Sequence, residues 1–461
     1  MRNSTLFSFT LLLASAFIVV RADDPDGVWG WASFTPQTGY KETTFPVQGT
    51  SNLFGYIDDT YDASKIKRVI LQIHGHGRDC WNYAKHTSKA RDEAAETMGL
   101  DPTTVLSIAP EFLGIGDMKS GSFKASDNYL CWLGDDWSGG YQNIPDCTPG
   151  TTNVTSFQAM DALVAWSSDK SRFPNVDTVV VSGHSLGGQY VNRYAALGKP
   201  PQTDGVDLEY WVGNAASYLY LTDARPASRA DLQDCPTYDD YKYGLTTLRT
   251  VLGAYAPTST GPLASQIWNT YISRNVHTAL GLADAGSGNL GCEGLVQGKS
   301  HLDRGLGYMN FIQRFAGGLP LSHTVDYFPG VQHNAGKMLT QPTSLKRLFF
   351  DRSSGGTTQP SLDGGSIMNG TVLKFWSTSG RVSAKQLAAL GQHVVQKKVS
   401  SGATASSAHS SPNATSSPLS QGTARQGVTL TPSSALAALP LAVPSLLALS
   451  LASVLLLVAT F

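Results

Sequence analysis

The sequence predicts an α/β fold, a mostly parallel central sheet with helices on both faces and with loop and cap insertions. Short β-branched runs alternate along the chain with stretches of helical composition, the pattern that a parallel sheet with crossover helices produces. With 41% hydrophobic and 15% charged residues and 46 Gly among 461 positions, the chain can form a sizeable core joined by many loops, which excludes wholesale disorder and coiled coil. The 34 basic and 35 acidic residues leave a formal charge of −1 without a long basic run, so no nucleic-acid partner is indicated. Function must come from a site.

The two ends differ from the middle. Arg2, an apolar stretch at 6–20 and Val20-Arg21-Ala22 before Asp23-Asp24 have the three regions of a secretory signal peptide. Cleavage is expected after Ala22, leaving a folded domain over 23–398 with its core at about 45–350. Residues 435–461 carry no charge and follow a Ser/Thr-rich stalk at 399–434, the composition of a glycosylphosphatidylinositol attachment signal. Gly422 is the expected attachment site, with residues 425–434 as the polar spacer. The competing reading is a spanning helix. Against it, Pro440 and Pro444 interrupt the tail and leave about 17 residues, roughly 25 Å of helix, after the second proline. Either reading places the protein in the secretory pathway at the cell surface.

Export permits disulfides, and the five cysteines (Cys80, Cys131, Cys147, Cys235, Cys292) leave at least one unpaired within the chain. Cys235 with Cys292 is the expected pair, since both lie near one candidate insertion. Asn153, Asn369 and Asn413 are glycosylation sequons in polar surroundings, while the sequon at Asn3 leaves with the signal.

Residues 66–73 form a β-branched run ending in His74-Gly75-His76-Gly77-Arg78-Asp79, and residues 81–98 follow as a helix without Pro or Gly. A second buried strand is expected at 105–109. Residues 110–153, rich in Gly, Asp and Trp, show neither period and read as an insertion. A helix at 156–168, a strand at 176–181 and a helix at 186–197 come next. Strands at 208–212 and 275–280 flank the aromatic-rich segment 218–270, a candidate cap. A last strand at 325–328 and a helix around 344–350 complete the pattern. There is no internal repeat.

The strongest chemical signal is Gly183-His184-Ser185-Leu186-Gly187, a G-x-S-x-G sequence between a predicted strand and a predicted helix. A tight turn there exposes the serine hydroxyl in a strained backbone conformation, and the glycines remove side chains that would collide. On these residues the chain resembles the α/β-hydrolase superfamily of serine esterases and lipases, over roughly residues 45–350.

The resemblance implies further positions. An oxyanion hole would take one N–H from His76 or Gly77 in the glycine turn and another from Leu186. Two such donors, each contributing about 3 kcal/mol in a water-excluded site, would stabilise a tetrahedral intermediate. The acid and base should follow the serine in the order Asp, His. Asp284, just past the 275–280 strand, matches the acid position, with Asp223 as competitor. His333, in a glycine-containing loop before the last helix, matches the base. His323 would sit at the wrong end of its strand, and His301 lies in a polar segment too early in the chain.

The expected activity is hydrolysis of a carboxylic ester through an acyl-enzyme on Ser185, the substrate being a small molecule, lipid or polymer. Amide or peptide hydrolysis on the same residues, and a surface binding module on a hydrolase fold, are the alternatives. His74-x-His76-x-x-Asp79 partly matches a metal-ligand cluster, but the Asp comes three residues after the second His instead of two, so no metal is expected. Gly298-Lys299-Ser300 lacks the preceding glycine and strand of a phosphate loop, and no cofactor is expected. The segment 129–137, with Trp132 and Trp137, reads either as a substrate platform or as packing.

Overall fold

The computed structural model describes residues 30–145, 147, 153–258, 261–316 and 318–352. The expected signal, stalk and tail, with Asn369, Asn413 and Gly422, lie outside the described residues. Asn153 is described and exposed.

An eight-stranded sheet organises the domain. Its strands are β1 (Tyr40–Gln48), β2 (Ser51–Asp58), β3 (Arg68–Ile73), β4 (Val105–Glu111), β5 (Thr178–His184), β6 (Asp207–Gly213), β7 (Asn275–Gly281) and β8 (His323–Phe328). Their spatial order is β1-β2-β4-β3-β5-β6-β7-β8. β2 is antiparallel to both neighbours, and the pairs from β4 onward are parallel. The mostly parallel sheet is as the sequence predicts, and the six strands from β3 onward start and stop within three residues of their expected bounds. The hairpin β1-β2 is a correction, because no element is predicted before residue 66. Pro46 lies in β1 beside a register shift between Pro46 and Gln48, a combination that a sheet tolerates only at an edge or bulge.

The helices are α1 (Cys80–Met98), α2 (Ser156–Ser167), α3 (Leu186–Leu197), α4 (Leu263–Ile272), α5 (His301–Ala316) and α6 (Pro342–Phe349), besides several shorter ones. Successive side chains of a strand point to opposite faces, and two separate clusters result. Ile70, Val180 and Trp211 meet Ala90 and Ala94 of α1 and Leu345 and Leu348 of α6. Their neighbours Val69, Leu71, Val179, Val181, Tyr210 and Val212 meet Leu163 of α2, Tyr190 and Tyr194 of α3, Ile267 of α4 and Ile312 of α5. Both faces are therefore dry, which is why these strands read as near-continuous apolar runs. Leu71 is fully buried, and Leu71→Ala would cost about 2–5 kcal/mol.

In the segment 110–153, Leu113–Gly114 pairs with Cys131–Trp132 in a small parallel sheet, and Cys131 is bonded to Cys147. Trp132 and Trp137 are fully buried, with Trp137 stacked on Phe112 at 5.1 Å, so this tryptophan stretch is packing. Cys235 and Cys292 form the expected second disulfide, and Cys80 is a buried free thiol. Within 218–270, Tyr220, Tyr241, Leu248 and Ile267 join the same apolar cluster as the sheet.

The register places the carboxyl ends of the parallel strands level with one another. Ile73 pairs with Gly183, Gly183 with Val212, Gly213 with Ala279, and Gly281 with Phe328. Loops that leave these strands share one rim, the usual location of a site in an open α/β sheet.

Candidate active site

Ser185 follows β5 directly and precedes α3, with φ 62° and ψ −121°, a region that a residue with a side chain enters only under strain. The flanking glycines make the turn possible. A Cβ on Gly183 would lie 2.4 Å from the Gly187 carbonyl carbon, and one on Gly187 would lie 2.5 Å from the His74 carbonyl oxygen. The Ser185 N–H donates to the Gly213 carbonyl at 3.0 Å, fastening the elbow to β6. Leu186 begins α3, so its N–H is among the unpaired donors at the positive end of a helix dipole. This elbow at the rim of a mostly parallel, two-face-covered sheet settles the fold. It is the α/β-hydrolase fold.

The turn after β3 lies against the serine: a Cβ on Gly75 would be 3.7 Å from the Ser185 Cβ and 2.6 Å from the Tyr83 hydroxyl. His76 Nδ1 is 3.0 Å from Asp135 Oδ1. The Gly77 carbonyl accepts from the Trp31 indole at 3.0 Å. Arg78, at φ 47°, anchors the turn through a buried ion pair with Asp117 at 2.8 Å.

His74 is fully buried beneath this turn. Its Nδ1 donates to the Gly75 carbonyl at 2.8 Å and its Nε2 accepts from the Phe112 N–H at 2.9 Å. Burial pushes its pKa down to about 3, so the ring is neutral. Glu111 Oε1 faces the same Nε2 at 3.2 Å. Two acceptors would repel there, and burial, reinforced by the Asp117 charge, raises the Glu111 carboxyl well above its ordinary range, which favours the protonated form. His74, His76 and Asp79 thus have three different partners, the last being the Asn82 side chain.

His333 lies in the loop after β8. Its Nε2 is 2.9 Å from Ser185 Oγ and its Nδ1 is 2.7 Å from Asp284 Oδ2. The loops that carry the histidine and the carboxylate hold each other, since the Ala283 N–H donates to the Val331 carbonyl at 3.0 Å. Asp284 is buried. Burial works to raise its pKa, yet hydrogen bonds from His301 and His333 outweigh it and hold the carboxyl well below the usual range. Asp223 is exposed after β6. His323 sits at the start of β8, buried, with Nε2 3.0 Å from the Tyr271 carbonyl oxygen.

His301 corrects the sequence reading, which sets it aside. It opens α5, and its Nδ1 is 3.1 Å from Asp284 Oδ1. Its ring is stacked on that of His333, centroids 4.0 Å apart and planes within 20°. His184 approaches His333 with its centroid at 4.5 Å. Burial, with the His333 charge second, holds the His184 pKa well down, and neither of its ring nitrogens has a hydrogen-bond partner among the described residues.

Asp284, His301 and His333 bring three donor atoms within 4.8 Å of one another. In nearly parallel rings, however, the in-plane lone pairs run side by side, and they do not converge on one ion at the 2.0–2.1 Å that zinc requires. Cys235 and Cys292, near Glu293, are bonded to each other and offer no thiolate.

Neither a family profile nor any curated protein sequence matches this chain. Several solved structures are similar. Poly(aspartic acid) hydrolase-1 from Sphingomonas sp. KT-1 is 18% identical, with 68% of this chain and 99% of that chain covered and a TM-score of 0.46. LpqC, a poly(3-hydroxybutyrate) depolymerase from Bordetella parapertussis, is 17% identical, with 67% and 94% covered and a TM-score of 0.44. An IroE-like serine hydrolase from Shewanella oneidensis is 12% identical, with 78% and 95% covered and a TM-score of 0.38.

Proposed function

We propose that the protein is a serine hydrolase that cleaves carboxylic esters through an acyl-enzyme on Ser185. The observation that carries this reading is the continuous hydrogen-bond chain from Ser185 through His333 to a buried Asp284. A serine hydroxyl is a weak nucleophile at neutral pH. His333 removes its proton as Oγ attacks the ester carbonyl. Asp284 fixes the tautomer with Nδ1 protonated and stabilises the imidazolium. The tetrahedral oxyanion forms toward the N–H of Leu186 and that of His76 or Gly77. His333 then gives its proton to the departing alcohol. Water, activated by the same histidine, releases the acid and restores the serine.

The same proposal places the enzyme at the cell surface: exported by residues 1–22, glycosylated at Asn153, Asn369 and Asn413, and lipid-anchored at Gly422. Among the described residues no helix is long and apolar enough to cross a membrane. Phosphatidylinositol-specific phospholipase C should release the protein from intact cells. Retention of protein that still contains residues 445–461 would refute the lipid anchor.

Activity is tested on a panel of p-nitrophenyl esters of increasing acyl length, with a fluorophosphonate probe as competitor. Hydrolysis abolished by the probe and unaffected by a chelator is expected. Activity lost to the chelator and untouched by the probe would overturn the serine mechanism.

A further inference from the structure

Asp284 presents each of its carboxylate oxygens to a different histidine. His333 Nδ1 is 2.7 Å from Oδ2, and His301 Nδ1 is 3.1 Å from Oδ1. The serine mechanism uses the first contact and leaves the second unexplained. Burying a second imidazole beside a charged carboxylate has a desolvation cost, and a second donor lowers the charge that the carboxylate presents to His333. His301 helps to keep Asp284 ionised, a task that the bond from His333 also performs. The contribution peculiar to His301 is geometry.

A carboxylate turns easily, because its terminal torsion has a broad, two-fold profile. Besides the two histidines, the hydrogen bond found on the Asp284 carboxylate is a long one, 3.3 Å from the Gly286 N–H to Oδ1. The contact from His301 thus sets the carboxylate plane. His301 is itself held at the start of α5 by hydrogen bonds back to the acid loop, its own N–H to the Gly286 carbonyl at 2.9 Å and that of Leu302 to the Asp284 carbonyl at 3.3 Å. Gly288, at φ 55°, passes over its outer edge, where a Cβ would fall 2.4 Å from Nε2. The ring cannot swing away, and its stacking on His333 restricts that ring as well.

We infer that His301 is a positioning residue for the proposed reaction, holding Oδ1 of Asp284 and the face of the His333 ring so that Oδ2, Nδ1, Nε2 and Ser185 Oγ stay aligned. This rests on the serine-hydrolase reading. Groups that orient metal-ligating residues from behind commonly matter by about 10–100-fold, and the same scale is expected for a group that orients Asp284.

The test uses the full chain with a fluorophosphonate to count reactive Ser185 sites, and compares wild type with His301→Ala and His301→Asn, whose amide N–H can take the place of Nδ1. In His301→Ala, kcat per titrated site should fall about 10–100-fold with KM within about twofold, and the labelling rate should fall in step. His301→Asn should regain most of the loss. A purely structural role would lower the melting temperature and the number of titrated sites but leave kcat per site unchanged, and that result overturns the inference. So does a His301→Asn variant no faster per site than His301→Ala. A wild-type protein that does not label at Ser185 sinks the serine-hydrolase reading and the inference with it. Normal labelling of wild type with an unaltered His301→Ala sinks the inference alone.

Discussion

The indole N–H of Trp31 donates to the carbonyl oxygen of Gly77 at 3.0 Å, tying the segment before the first strand to the turn that lies against Ser185. The same residue's backbone N–H donates to Asp117 Oδ1, whose other oxygen binds Arg78 Nε. Its ring meets Trp81 edge-on at 4.9 Å. Trp31 therefore helps to fix the peptide plane between Gly77 and Arg78, the one next to that carrying the Gly77 N–H.

Trp31→Phe keeps an aromatic ring beside Trp81 and deletes the indole N–H. One net hydrogen bond of about 1 kcal/mol, felt in the peptide next to the proposed oxyanion donor, converts to a loss of roughly tenfold at most in kcat. Steady-state kinetics on a p-nitrophenyl ester would measure it. An unchanged kcat would show that the turn keeps its shape without this contact.

The acid assignment separates two aspartates. Asp284→Asn should lower kcat by about 10⁴, because an amide N–H facing His333 favours the wrong imidazole tautomer. Asp223→Asn, at an exposed position, should stay within about twofold of wild type, as surface substitutions usually do. Circular dichroism checks that both variants fold.

Glu111 predicts a pH-dependent stability. Its pKa is raised in the fold, where burial favours the protonated form, and lies near 4.3 in the unfolded chain, as in model peptides. Below about pH 4 both states hold the proton and there is no effect. As pH rises further the unfolded chain gives up its proton and the fold does not, so wild-type stability falls by up to about 1.4 kcal/mol per pH unit until the folded group also ionises. Glu111→Gln removes this term with little change of shape. Urea unfolding at pH 5 and pH 8 should show the variant gaining on wild type as pH rises. A constant difference would mean that Glu111 is ionised in the fold.

Gly187→Ala tests the elbow. The added methyl would meet two main-chain oxygens, those of His74 at 2.5 Å and Ile73 at 2.7 Å, and neither can move without disturbing β3. The variant should lose several kcal/mol of stability, about the size of the largest single-residue effects. Thermal unfolding measures this, and a melting temperature within about 2 °C of wild type would contradict it.

Much of this arrangement was legible in the chain. Val179, Val180 and Val181 announce a strand buried on both faces, and the G-x-S-x-G that follows can fold as an elbow only there. Because the sheet is parallel, residues just past the ends of β5, β7 and β8 share one rim, and the resemblance to the α/β hydrolases pointed to Ser185, Asp284 and His333 there, with Asp223 left as a competing acid. His301 was hidden for a local reason. Gly305 and Gly307 lie inside α5 and lower its helical signal, and Gly305 lets the helix pack closely on Leu280, whose Cδ2 would lie 2.4 Å from an added Cβ. Without that helix nothing in the sequence brings His301 back to Asp284. The β1-β2 hairpin was obscured by Pro46, and the Cys131–Cys147 bond depends on a loop path that spacing does not determine.

The central claim is that Ser185 becomes acylated. Rapid mixing with p-nitrophenyl acetate followed by acid quench and peptide mass spectrometry tests it directly. The account predicts a burst of nitrophenolate and an acetyl group on the peptide that contains Ser185, both absent from Ser185→Ala. A Ser185→Ala protein that turns over the ester at the wild-type rate, or an acetyl group found only elsewhere, would contradict it.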